Sequence, residues 1–365
     1  MFLHIYCMQE VIFIKLFKRF SGIFFIFIIA IFIIIYSLYF PAETAGSVKK
    51  GLLLCTEKAI PSLFMFMVAA KLIAKSGSDE MFSKCKHLLA FFGVSPSGMT
   101  VILTGLICGY PAGASAAAEL CSSGRMSRKE ANSLLPFTNS AGAAFLVGAV
   151  GAKMFGNAKL GAILLAAQTV SSALLLIFSA PRRRAYIVRA PASASPQAVA
   201  VTQTLCSAVA ESGAALLSIS TFITFFSAAS DMLAEIIKAP MISNTFACIC
   251  EITGGLDRLS ANFEKAPLLK ITLAGATVGF SGLSVMMQVF DRATHGNIKT
   301  NGYFIGKLTS SLLTAGFSAI FYKIIYENNT KIAVLVCLFL FLTTIAHVLC
   351  ENLSKKGGKI KKYDI

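Results

Sequence analysis

The run from Ser21 to Phe40 contains no charged residue and is built mostly of Ile and Phe. As a helix it extends about 30 Å, the thickness of a bilayer's hydrocarbon core. Further apolar runs follow along the chain, which is 56% hydrophobic and only 14% charged over 365 residues. A soluble domain keeps itself in solution with a charged, mixed surface, and this composition cannot supply one. The chain reads as an all-α polytopic protein integral to a cell membrane, with about seven to nine transmembrane segments in the lipid bilayer.

Lys15, Lys18 and Arg19 precede the first run, and "FPAETAGS" (Phe40–Ser47) after it makes a poor cleavage site. The run is therefore expected to remain as an uncleaved helix with its basic end in the cytoplasm. The net charge of +16 comes from Lys and Arg grouped in short loops between apolar segments. That is the positive-inside pattern, and no nucleic-acid motif accompanies it, so no nucleic-acid partner is expected.

The apolar segments after the first lie at Leu52–Ile73, Leu88–Leu120, Leu134–Val150, Leu160–Ser179 and Leu205–Ala229, then in a broken region Met241–Gln288, then at Tyr303–Tyr322 and Ile332–Leu349. A Pro/Ala/Ser linker with Arg182, Arg183, Arg184 and Arg189 divides the chain, and a basic tail, Lys355–Lys362, closes it. The expected organisation is an N-terminal transmembrane helix (1–45), a first repeat (46–180), the basic linker (181–204), a second repeat (205–350) and the tail (351–365).

Two internal repeats are suggested by three matches in the same order. "LTGLICGYPAG" (Leu103–Gly113) matches "LAGATVGFSGL" (Leu273–Leu283), with Gly105 on Gly275, Gly109 on Gly279 and Tyr110 on Phe280. Pro61–Ile73 resembles Ser220–Leu233, and "TNSAG" (Thr138–Gly142) falls opposite "TSSLL" (Thr309–Leu313).

The stretch "CGYPAGAS" puts a proline and two glycines inside an apolar segment. In lipid every backbone polar group needs an internal partner, so such a break belongs where protein or a water-filled cavity surrounds it. A glycine face for close helix packing is the competing reading. Breaks in corresponding places of two repeats point to a transporter's binding site, and hairpin tips are expected at Gly109–Ser115 and Gly279–Ser284. If Leu88–Leu120 enters and leaves on one side, Lys75, Lys84, Lys86, Arg125, Arg128, Lys129 and the Arg182–Arg184 cluster share the cytoplasmic face. Positive-inside favours that arrangement. It leaves three crossings per half, which inverts the repeats, and it places the basic tail outside.

Polar residues within the apolar segments are costly and usually functional. The candidate substrate-binding set is Gly109, Tyr110, Pro111, Gly113, Ser115, Glu119, Asn139, Ser140, Glu251, Thr253, Gly279, Phe280, Ser281, Ser284 and Gln288. The ten cysteines form no CxxC pair, only Cys248 and Cys250 lie close, and His4, His87, His295 and His347 show no ligand spacing. No metal and no cofactor is therefore expected. Asp257 and Arg258 are expected in a loop. No nucleophile–base set, Walker motif, GxSxG or HExxH appears, so the chain is not expected to be an enzyme.

"CGYPAGA", "TNSAGAAFLVGAVGAKMFG", "EITGG" and "GFSGLSVMMQV" together resemble the sporulation integral membrane protein YlbJ family. That family belongs with the nucleoside-recognition, or gate, domain proteins, which are similar to concentrative nucleoside transporters. The resemblance covers roughly residues 45–350. It implies an endospore-forming bacterium, inverted repeats with two re-entrant hairpins, and movement of dipicolinate, a small dicarboxylate, across the outer forespore membrane. Ser115, Thr138 and Met287 depart from the family's usual residues. The expected partner is a small polar or anionic metabolite. A nucleoside-type substrate and a non-transporting spore-envelope assembly or signalling role are the alternatives. The sequence specifies no coupling ion, and a homo-oligomer is compatible with it.

Overall fold

The computed structural model describes residues 23–77, 79–187, 201–263, 265–328 and 331. The basic N-terminal cluster, most of the linker, the run Ile332–Leu349, the tail, His4 and His347 lie outside the described residues. All regular structure within them is helical.

Helix α1 (Ile23–Tyr39) presents Ile and Phe side chains outward and meets the next helix at a 112° bend. Helix α2 (Pro41–Leu54) runs through one wider π turn (Cys55–Ala59) into α3 (Ile60–Lys75). The widening falls just ahead of Pro61, whose nitrogen cannot donate to the preceding turn. After the short α4 (Asp79–Phe82) and α5 (Lys86–Phe92) come α6 (Pro96–Cys108), α7 (Ala112–Ser122) and α8 (Arg128–Thr138). A π-helical segment (Ala144–Met154) and α9 (Ala158–Arg184) follow. The second half holds α10 (Val201–Ile237), α11 (Pro240–Cys250), α12 (Ile252–Asn262), α13 (Pro267–Phe280), α14 (Gly282–His295) and α15 (Tyr303–Tyr326).

Side-chain caps start several of these helices. Ser95 accepts from the Gly98 amide, Ser127 from Glu130 and Asn157 from Lys159, each satisfying an N–H that a first turn leaves bare.

The long helices α2–α3 and α10 lie antiparallel. Lys75 meets Ser207 and Glu211 at one end, Cys55 meets Ser220 and Thr224 midway, and Lys50 meets Asp231 at the other. Glu211 and Asp231 are twenty residues apart on α10, a rise of about 30 Å that matches a hydrocarbon core.

Helices α6 and α7 form a hairpin. A Cβ on Gly113 would stand 3.2 Å from the Gly105 Cα near the turn, and the Ser97 hydroxyl donates to the Arg125 carbonyl at 3.0 Å at the open end. Helices α11 and α12 form a second hairpin that turns at Glu251, with Gly255 facing Cys248. The other segments run end to end. Helix α8 and the π-helical segment form one interrupted span antiparallel to α9, since Gly151 meets Gly161, Ala141 meets Gln168, Ser140 meets Ser172 and Ser127 meets Tyr186. Likewise α13 and α14 form a single interrupted span, Pro267–His295, antiparallel to α15, with Gly275 against Ser318, Gly279 against Ser310 and Ser281 against Lys307.

Two expectations need correction. Gly279–Ser284 is not a hairpin tip but the interruption of one span, and the second hairpin turns some thirty residues earlier in the chain. The sequence match thus paired a hairpin tip with a span break, and Thr309–Leu313 lies inside the unbroken α15 rather than at a break. Pro61–Ile73 lies on α3 and Ser220–Leu233 on α10, the long helices that pack antiparallel. Asp257 and Arg258 are on α12, not in a loop. Among the described residues four helices are long and apolar enough to cross a membrane, or six if each bent pair counts as one span.

Candidate functional site

Each break in the spans leaves backbone groups that protein must satisfy. At the first hairpin tip Gly109 adopts φ +81° and ψ −169°, a conformation open to glycine alone. The Tyr110 amide then donates to the Ser140 carbonyl at 2.8 Å. The Asn139 side chain accepts from the Ala114 amide at 2.9 Å and donates to the Leu135 carbonyl at 2.8 Å. The Tyr110–Pro111 peptide bond is cis. Gly105 and Gly113 leave room between α6 and α7 for the carbonyl of Thr138, the last residue of α8. The glycine spacing therefore serves both earlier readings: it opens a tip and packs a helix end.

The irregular stretch that begins at Asn139 is held from α9. The Gln168 side chain accepts from the Ala141 amide at 2.8 Å and donates to the Ala141 carbonyl at 2.9 Å. The Ser140 and Ser172 hydroxyls are 3.3 Å apart.

At the second hairpin tip Glu251 caps α12. Its carboxylate accepts from the Thr253 amide at 3.0 Å and the Gly254 amide at 2.7 Å, the favourable place for negative charge at a helix start. At the second break Ser281 and Gly282 both take positive φ, 73° and 81°. The Ser281 hydroxyl and the Asn139 carbonyl accept from the same ammonium, that of Lys307, at 3.0 and 2.5 Å.

These parts converge on a cleft of ≈ 20 Å³, room for about one water. Tyr110 reaches it from the first tip, Gly142 from the first break, Glu251 and Thr253 from the second tip, and Gln288 from α14. Ala59 and Leu63 on one side and Ile219 and Ile223 on the other close it from the long helices. Gln288 is buried, donates to the Ser284 hydroxyl at 3.3 Å, and leaves its Oε1 without a partner. The Tyr110 ring stands edge-on to Phe145. Among the described residues the lining offers a carboxylate and an amide but no cation.

The other candidates stand around this cleft rather than in it. Gly109, Pro111, Gly113, Asn139, Ser140, Ser281 and Ser284 shape the tips and breaks. Ser115 is buried on α7 with its hydroxyl unpaired. Gly279 packs on α15. Phe280 meets Phe304 edge-on and lines a larger apolar groove of ≈ 610 Å³ beside the second hairpin. Glu119 lies toward the open end of the first hairpin, 3.7 Å from Lys71, which also pairs with Glu211. Lys307 and Gln168 are central here and were not anticipated. The signal was present in each case, as a long polar side chain within an apolar helix. Among the described residues no group of three or more His, Cys, Asp or Glu could hold a metal.

The interrupted apolar spans and the buried polar junction define a helical protein integral to the membrane. No family model matches the chain, and no solved structure matches it significantly. It is similar to the sporulation integral membrane protein YlbJ of Bacillus subtilis, 27% identical over 328 residues that cover 78% of this chain and 79% of that protein. This similarity agrees with the resemblance to the YlbJ family that the motifs carry.

Proposed function

We propose that the protein is a carrier for a small polar or anionic metabolite in spore formation, not an enzyme, with dipicolinate as the first substrate to test. The carrying observation is that two hairpin tips and the first span break, together with α14, meet from both halves at one cleft. Polar groups and interrupted helices at such a depth are costly unless they serve a path. The order long helix, hairpin, broken span, span occurs in each half, and the two long helices are antiparallel. Both features support an inverted repeat, the architecture in which two bundles move about a central site. The end that carries Lys84, Lys86, Arg125, Arg128, Lys129 and Arg182–Arg184 is read as cytoplasmic. The relative's name supports sporulation as the setting.

A cleft the size of one water admits no dicarboxylate, so the hairpins must separate from the long helices for a solute to enter. The test is uptake of labelled dipicolinate and of labelled uridine into vesicles holding the purified protein, with Gln288→Ala and Glu251→Gln alongside the wild type. Dipicolinate uptake that falls in both variants while the proteins stay folded is expected. Uptake of uridine alone would move the substrate to the nucleosides. Uptake of neither by folded protein would sink the carrier reading in favour of an assembly role.

A further inference from the structure

Lys307 is buried, 2% exposed, on α15 between the two span breaks. A buried ammonium is costly unless opposite charge or several acceptors surround it. No carboxylate among the described residues pairs with it. Its acceptors are the Asn139 carbonyl, at the C-terminal end of α8, and the Ser281 hydroxyl, at the C-terminal end of α13. The Tyr303 ring lies 5.9 Å from its nitrogen. A helix C-terminus carries about half a negative charge, and the end of α8 brings one here, whereas at Ser281 the end of α13 abuts the start of α14 and contributes a hydroxyl acceptor. Each half of the chain thus contributes one acceptor from its break.

We propose that the junction of the two breaks is a cation site whose occupant is the chain's own Lys307 ammonium. Unwound carbonyls and half-helix C-termini are the usual ligands of small cations in membrane carriers. Here a tethered amine fills that position and joins the first half to the second, so no bound metal ion is needed to hold the two breaks together. Any consequence for solute coupling rests on the carrier reading above. The site itself does not, and it is tested without transport.

Thermal unfolding of the full chain in lipid nanodiscs is followed in sodium, potassium, ethylammonium and choline chloride at equal ionic strength. The wild-type midpoint should be the same in sodium and choline. Lys307→Ala should lower the midpoint in choline, and sodium or ethylammonium should restore most of the loss in a saturable way, which a merely structural side chain would not allow. A wild type stabilised by sodium over choline would overturn the proposal, as would a Lys307→Ala protein that no cation rescues. Should Lys307→Ala yield no folded protein, Lys307→Met, similar in size and uncharged, decides. A midpoint equal to wild type refutes the need for charge, and a clear fall, or loss of folded protein, upholds it. Vesicle uptake can then fail with the cation site intact, or succeed without it, so the two proposals fall separately.

Discussion

The carbonyl of Thr138 lies against the bare Cα of Gly105, and a methyl group at that glycine would collide with it. The end of α8 is thereby wedged into the first hairpin, beneath the tip that carries Tyr110. Backbone cannot retreat from such a contact as a flexible side chain can. Gly105→Ala is therefore expected to destabilise the protein by about 3 kcal/mol or more, read as a lower unfolding midpoint or a loss of folded yield. Gly148→Ala, where an added Cβ meets nothing, serves as the neutral control.

The Gln168 amide pairs with both backbone groups of Ala141. Gln168→Leu keeps the volume but strands an N–H and a C=O in a buried site. Each stranded group costs about 1–3 kcal/mol, so a loss of roughly 2–6 kcal/mol is expected. Gln168→Glu should fall in the same direction, because its carboxylate can accept from the Ala141 amide but, ionised, cannot donate to the carbonyl. Comparing the midpoints of both variants with wild type checks the assignment, and two unchanged midpoints would refute it.

Arg258 of the second hairpin bonds Asp231 of α10, and Asp231 also faces Lys50. This contact ties the hairpin to the long helices. Asp231→Ala and Arg258→Ala should each destabilise, and the double variant should lose less than their sum, with a coupling of about 1 kcal/mol or more. A double-mutant cycle on unfolding free energy measures it. In vesicles the same variants should alter solute uptake if the hairpin moves, which separates a latch from a brace.

The hairpin geometry fixes a pattern of sidedness. In a cysteine-free background, cysteines at Ser123 and at the native Cys85 position should label from one face of the membrane, and a cysteine at Lys159 from the opposite face. Ser123 adjoins Arg125, which reaches the Ala74 carbonyl near the end of α3, whereas Lys159 follows Asn157, whose side chain bonds Tyr326 at the far end of α15. Labelling of Ser123 and Lys159 positions from the same face would contradict the arrangement.

Much of this was legible in the chain. Apolar run length predicted the helical membrane class, and Pro111 with its glycines marked a true hairpin tip. Glu251, Thr253 and Gln288 belong to the candidate set of the sequence and meet at the cleft. The second hairpin was misplaced for a physical reason. Gly275 and Gly279 pack against α15 much as Gly105 and Gly113 pack against α8. Glycine spacing reports close approach of backbones, whichever element makes it, so a span break and a hairpin can share the string. The turn at Glu251 carries no proline, and a carboxylate cap replaces the breaker that the eye seeks. Lys307 is not legible as a site residue because its partners, the Asn139 carbonyl and the Ser281 hydroxyl, are brought to it only by the fold.

The spacing of Glu211 and Asp231 has one more bearing. Ion pairs at the two ends of α10 fix where polar groups begin, and about 30 Å of apolar wall lies between them. The protein thus carries a gauge of membrane thickness. A thicker bilayer would draw the Lys71–Glu211 and Arg258–Asp231 pairs into hydrocarbon, and a thinner one would bare the apolar flanks, each at a modest cost per ångström. Lipid chain length alone could then set how firmly the ends of the long helices hold the two hairpins.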